Sequence, residues 1–243
     1  MSTFFIAVGL SLVGGLGGLL VASGVLLVRD SERTKLIPWL VSYAVGALLG
    51  VSMLRLLPEA LEELPSAHVL STLLVGIMLF FVLEKLVLWR HCHTHDCEVH
   101  ESSAFPVLVG DAFHNFVDGA VVAAAVMTSV PLGLSTAVAV AAHEIPQEVG
   151  DFAILLHAGY SRSRALLLNV LSSLASAVGA VTALLAFDSL PPLLPYFLSL
   201  AAASFLYVAM ADLIPGLHRG RTDASSMRQI LLIAVGIATM LLL

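Results

Sequence analysis

The sequence predicts an all-α, polytopic membrane protein with eight transmembrane helices. Of the 243 residues, 59% are hydrophobic and 12% charged, with a mean hydropathy of +1.00. A soluble domain carries about 45–50% apolar and about 25% charged residues. The apolar residues also fall into eight runs, most near the roughly 20 residues a helix needs to cross hydrocarbon. Finally, the basic residues sit almost entirely between alternate runs, as they do in polytopic chains.

The first run, 3–28, has neither a basic leading region nor a clear cleavage site, so it reads as a retained helix and not a removed signal peptide. Runs two and three cover 37–57 and 67–89. The fourth, 105–130, and the fifth, 132–158, carry His, Asp and Glu within apolar bodies. Runs six to eight cover 164–187, 193–214 and 228–243, the last being short. Gly14 and Gly18, and Gly46 and Gly50, are small-xxx-small pairs, which predict close helix packing in lipid. The net charge of −6 without any basic block excludes nucleic acid as a partner.

Arg29, Arg33 and Lys35 lie in the first connection. Lys85 and Arg90 flank the third, Arg162 and Arg164 the fifth, and Arg219, Arg221 and Arg228 the seventh. These are ten of the eleven basic residues; Arg55 alone lies towards the other side. Odd-numbered connections are therefore expected in the cytosol and both termini outside, in the plasma membrane. The tract 91–103, "HCHTHDCEVHESS", is then a cytosolic His/Cys-rich loop. Its cysteines stay reduced there, so His91, Cys92, His93, His95 and Cys97 are expected to make weak, exchanging metal contacts. They are too closely spaced for a folded zinc finger.

The chemistry lies in runs four and five. In "GDAFHNFVDGA", His114 and Asp118 are four apart and share a helix face with Asp111, with Asn115 adjoining. In "HEIPQEVGD", His143 and Gln147 are four apart, as are Glu144 and Glu148, with Asp151 one turn on. Each ionisable group at bilayer depth costs roughly 2.5–3.5 kcal/mol on insertion scales. So many on two adjacent helices should face one another or a watery path.

Imidazole combined with carboxylate suits zinc, iron, manganese or cadmium, carried as substrate; calcium and magnesium prefer oxygen alone. His114, Asn115, Asp118, His143, Glu144, Gln147 and Glu148 are the candidate ligands, with room for a second ion at Asn115, Asp118 and Glu144. Pro146 removes one helical N–H and predicts a kink between His143 and Gln147. Asp111, Asp151 and His157 lie to the cytosolic side and form an expected exit ladder.

"HNFVDG" and "HEIPQEVGDFAILL" resemble the ZIP (Zrt/Irt-like) metal transporters, specifically their LIV-1-like branch in a prokaryotic-type form without an ectodomain. "LLPEALEE", "FFVLEKLVLWRHCH" and "FLYVAMADLIPGLHR" are similar to the same branch. The resemblance implies one transporter domain over 1–243 and eight spans with outside termini. It also implies metal binding at His114, Asn115, Asp118, His143, Glu144 and Gln147, with uptake of zinc, iron, manganese or cadmium into the cytosol. The motion implied is elevator-like, with spans one, four, five and six sliding against the rest.

The chain departs from that branch in having Gln147 where a second His is frequent, Val51 and Arg55 in span two, and Asn169 as the main polar group of span six. Arg55 is a candidate stand-in for a second cation. The expected partners are divalent ions and the bilayer, with a homodimer left open. Two rivals remain. An intramembrane zinc metalloprotease would use "HEIPQ" as H-E-x-x-H, but Gln147 breaks that motif. A metal-gated receptor would bind metal without flux.

Overall fold

The computed structural model describes residues 2–91, 104–218 and 224–243. Among these there is no β-strand, and helices follow one another almost without loops. The first stretch is α1 (Ser2–Leu27). The second is α2 (Asp30–Val51), which runs through a π-helical turn (Ser52–Leu56) into α3 (Leu57–Glu63). The third, fourth and fifth are α4 (Ser66–His91), α5 (Ala104–Thr128) and α6 (Val130–His157). The sixth is α7 (Arg162–Ser173) with α8 (Ala175–Ser189). The seventh is α9 (Leu194–Tyr207), a second π-helical turn (Val208–Leu213) and α10 (Ile214–His218). The last is α11 (Ala224–Leu242). Six of these stretches are long and apolar enough to cross a membrane. The fifth, α6, carries the polar motif, and the apolar part of the eighth, Ser226–Leu242, is shorter.

Local chemistry sets the helix ends. Ser129 caps α6 by accepting the N–H of Leu132 at 3.3 Å, with Pro131 in the first turn where no donor is needed. At the other end Gly159 takes φ +88°. This left-handed residue lets the N–H of Tyr160 return to the carbonyl of Leu155 at 3.1 Å, a typical glycine termination. Ser161 then caps α7 through the N–H of Arg164.

The two π-helical turns have one cause. "RLLP" and "DLIP" each place a proline, Pro58 or Pro215, where its missing N–H leaves the carbonyl four residues back without its α-helical donor. The residue before each proline reaches one position further back: Leu57 N–H bonds Ser52 O, and Ile214 N–H bonds Ala209 O. An extra residue is thereby absorbed without breaking the rod. Pro146 does not do this. Helix α6 continues as α-helix on both sides of it.

Two groups of helices are visible. Helices α1, α5, α6, α7 and α8 pack on one another, chiefly α5 on α8 and α1 on α6; α2 packs on α11 and α4 on α9, with α2 against α6 as the main junction. Each group has the same device at its tightest crossing. A Cβ on Gly119 would meet the carbonyl of Ser176, and one on Gly179 the carbonyl of Phe116, so α5 and α8 touch backbone to backbone. Gly46 faces Ile233 O and Gly236 faces Tyr43 O in the same reciprocal way between α2 and α11. In lipid, where apolar burial drives little, such close packing supplies much of the cohesion.

The shared core is small-residue rich, with Ala120 through Val126 all buried. The outer faces carry Phe5, Leu20, Leu74, Val75, Met78 and Leu185, as a lipid-facing surface requires.

Gly119→Val and Gly46→Val should each lower stability by at least about 1–3 kcal/mol, the usual cost of overpacking. Gly150→Ala, where an added Cβ meets nothing within 4 Å, should leave the unfolding midpoint in detergent unchanged or slightly raised. Equal midpoints for all three variants would refute the backbone-contact account.

Candidate metal centre

The spacing Asp111, His114, Asn115, Asp118 lays four polar side chains along one stripe of α5. Helix α6 answers with His143, Glu144 and Glu148. Helix α1 closes the third side with glycines: a Cβ on Gly18 would lie 2.6 Å from Glu144 Cβ, and one on Gly15 would lie 3.1 Å from Asn115 Oδ1. Any larger residue there would fill the space that the polar groups occupy.

Four ligand atoms converge. His143 Nε2 lies 2.9 Å from Asp118 Oδ2 and 3.1 Å from His114 Nε2. His114 Nε2 is 3.4 Å from Glu144 Oε1 and 3.5 Å from Asp118 Oδ2, and His143 Nε2 is 3.8 Å from Glu144 Oε1. An ion held tetrahedrally at 2.0–2.1 Å needs ligand atoms about 3.3 Å apart, and these separations bracket that value.

The hydrogen bonding agrees with this reading. His143 Nδ1 faces the carbonyl of Ala139 at 3.0 Å, so Nδ1 carries the hydrogen and Nε2 turns a lone pair into the cluster, the usual outer-shell arrangement for a metal-binding imidazole. Asp118, His143 and Glu144 are at most 2% exposed. Neither oxygen of Asp118 or of Glu144 has a hydrogen-bond donor. Orphaned buried acceptors at lone-pair distance from one another are costly unless a cation sits between them.

A second group adjoins the first. Asp111, Glu144 and Glu148 bring one oxygen each within 4.8 Å of the others, and all three are buried. Glu144 belongs to both groups and can bridge two ions. Asn115 is held by its amide nitrogen on Asp111 Oδ1 at 3.1 Å, leaving its Oδ1 without a donor. Ser173 of α7 donates to Glu148 Oε1 at 3.0 Å.

The structure places the sequence-derived candidates unevenly. His114, Asp118, His143 and Glu144 form the first cluster. Glu148 and Asp111 join Glu144 in the second. Gln147 adjoins the second group, its amide nitrogen donating to Asp111 Oδ1 at 3.3 Å. Asp151 is half-buried one turn on, and His157 is exposed at the end of α6.

Arg55 is tied elsewhere, donating from Nε to the carbonyl of Met240 at 2.8 Å, so it anchors α11 and does not complete the cluster. His91 ends α4, and Cys92, His93, His95 and Cys97 lie outside the described residues. Ser173 was not anticipated; the small-polar run "NVLSSLAS" in span six was the available signal.

The fold and this cluster define a class: an all-helical membrane chain with a buried cation site between its helices. Residues 89–243 match the family described as "ZIP Zinc transporter". The chain is 33% identical over 218 residues to zinc transporter ZIP13 of Pongo abelii, covering 84% of this chain and 65% of that protein. It is 44% identical over 117 residues to zinc transporter ZIP4 of Homo sapiens, covering 48% of this chain and 18% of that protein. It is 38% identical over 122 residues to zinc transporter ZIP10 of Danio rerio. The chain thus spans just under two thirds of the first relative and less than a fifth of the second. The chain belongs to the ZIP zinc transporter family.

Zinc added at 100 times its dissociation constant should stabilise the detergent-solubilised protein by about 2.7 kcal/mol through mass action. His143→Ala and Asp118→Asn should lose that gain. A zinc-induced rise in melting temperature that survives both substitutions would show that the ion binds elsewhere.

Proposed function

We propose that this chain moves a divalent transition-metal ion, zinc first, across a membrane through the cluster of α5 and α6. The observation that carries the reading is the four-atom cage of His114, Asp118, His143 and Glu144, with tetrahedral spacing and buried, donor-less oxygens. The names of the relatives support zinc. Cadmium, iron and manganese fit the same mixed nitrogen and oxygen donors.

In this reading Asn115 and Glu148 help to hold a second ion beside Glu144, and Gln147 orients Asp111. Asp151 and His157 continue the polar route along α6 towards the end that carries Arg162. All eight helical stretches span the plasma membrane as a single domain, both termini outside. The His/Cys-rich loop 91–103 lies in the cytosol, where its side chains would take metal from the exit.

Alternating exposure of the site follows if the group α1, α5, α6, α7 and α8 slides against the rest in an elevator-like motion. The two-group packing supports this, because α2 against α6 is the main junction to be remade. The protease reading is weaker: a water-activating Glu needs a free edge of the metal, whereas Glu144 lies among the converging ligand atoms, and Gln147 stands where that motif needs a second His.

Proteoliposomes loaded with a zinc-sensitive dye should brighten on external zinc. His143→Ala and Glu144→Gln should lower the initial rate at least tenfold, about 1.4 kcal/mol of barrier. Zinc binding at wild-type affinity without flux would favour a receptor. Cleavage of an added peptide without flux would favour a protease.

A further inference from the structure

The geometry points to Phe205 as a positioning residue of the metal cage. It holds the His143 ring in place and closes one end of the cage to water, which favours ions that shed their water shell. The inference rests on the proposed cage and names what sets its choice of ion.

His143 is the ligand it acts through. Its Nδ1 faces the carbonyl of Ala139 at 3.0 Å, which fixes one edge of the ring but still permits rotation about that bond. Two other rings limit the rotation: His114 stands edge-on at 5.3 Å, and Phe205, tilted by 59°, lies at 5.8 Å. His114 is itself a cage member, so Phe205 supplies support from outside the ligand set. It is 1% exposed and comes from α9, whereas the ligands come from α5 and α6. Groups around a metal site keep its imidazoles oriented, and an apolar shell controls solvent access.

The cage has two unlike ends. One turn from the ligands in one direction, α5 and α6 carry Asp111, Gln147 and Glu148. One turn in the other direction they carry Val121, Val122, Ala139 and Val140, all at most 2% exposed. Phe205 belongs to the same apolar cluster as those four. Apolar side chains at that end offer a hydrated ion nothing to hold its waters. Zinc accepts four protein ligands in a tetrahedron. Manganese and magnesium favour octahedra of oxygen, and magnesium dehydrates reluctantly. Deleting the ring opens space for a water beside His143 and lets the imidazole turn, which relaxes both conditions.

The test uses the full chain in detergent, with cobalt, zinc or manganese as the probe. Cobalt in the unmodified chain should show the intense visible absorption of a four-coordinate ion, and zinc should bind more tightly than manganese. Phe205→Ala should weaken that absorption severalfold as water joins the ion. It should also lower zinc affinity about tenfold or more, with a smaller change for manganese. Phe205→Met, which refills the space with apolar atoms, should restore both. Phe187→Ala removes a buried ring of α8 that packs on Phe197 at 5.0 Å and should change neither. Should Phe205→Ala not fold, Phe205→Val leaves a smaller gap and gives the same readout. An unchanged spectrum and zinc-to-manganese ratio in Phe205→Ala or Phe205→Val, or an equal loss in Phe187→Ala, would overturn the inference. A six-coordinate cobalt spectrum in the unmodified chain would instead overturn the cage itself, and this inference with it.

Discussion

The structure is organised around one electrostatic constraint: carboxylates that share a dry space need a cation. Asp111, Asp118, Glu144 and Glu148 are all at most 4% exposed, and most of their oxygens have no donor. Helices meeting in hydrocarbon gain nothing from burying four acids, and each acid would be expelled towards water if it could be. Two imidazoles with lone pairs turned inward do not solve the problem alone, because they add acceptors. A divalent ion does, and Glu144, common to both groups, lets one carboxylate serve two ions. A site of this composition is stabilised when a cation occupies it.

That constraint explains the choice of residues around it. Gly15 and Gly18 on α1 and Gly119 on α5 keep side chains out of the contacts that hold the acids together. The alanine run Ala123–Ala125 on α5 brings that helix close to its neighbours without competing polar groups. Serines in α7 and α8 have a double role. Ser173 reaches Glu148 and also lies 2.9 Å from the carbonyl of Asn169, and Ser176 bonds the carbonyl of Ser173 at 2.7 Å. Such local bonds compete with the regular helix ladder, and the rod breaks at Leu174, between the two.

Much of this was legible in the sequence. Apolar runs at 3–28, 105–130 and 132–158 correspond to α1 (Ser2–Leu27), α5 (Ala104–Thr128) and α6 (Val130–His157), because hydrocarbon thickness dictates length and polar breaks dictate ends. A spacing of four residues likewise revealed which side chains share a face of α5 or of α6. It could not give the rotation of one helix against the other. That rotation pairs Asp118 with both histidines, turns Gln147 onto Asp111, and draws Asp111 into the acid group. Arg55 was ambiguous for the same reason: its partner, the carbonyl of Met240, is 185 residues away and is a backbone atom that no side-chain pattern announces. The break at Leu174 and the two π-helical turns depend on local hydrogen-bond competition, which apolar periodicity does not report. The prolines in "RLLP" and "DLIP" mark the turns only once helix continuity is known.

The two prolines also bear on how the helix groups meet. Both π-helical turns fall in the group of α2, α4, α9 and α11, and one of them carries Arg55 onto α11. The other follows α9, whose Phe205 ring lies 5.8 Å from that of His143. The helices of that group that pack on the metal group, α2 against α6 and α9 against α5, each lead into one such turn, where the backbone ladder is loosened. On the metal side, by contrast, α5 and α6 are unbroken α-helix through every ligand, even past Pro146. A site needs rigid rods to hold ligand atoms within a few tenths of an ångström. Regular helix is thus concentrated where the ligand atoms converge, and both π-helical turns lie in the other group of helices.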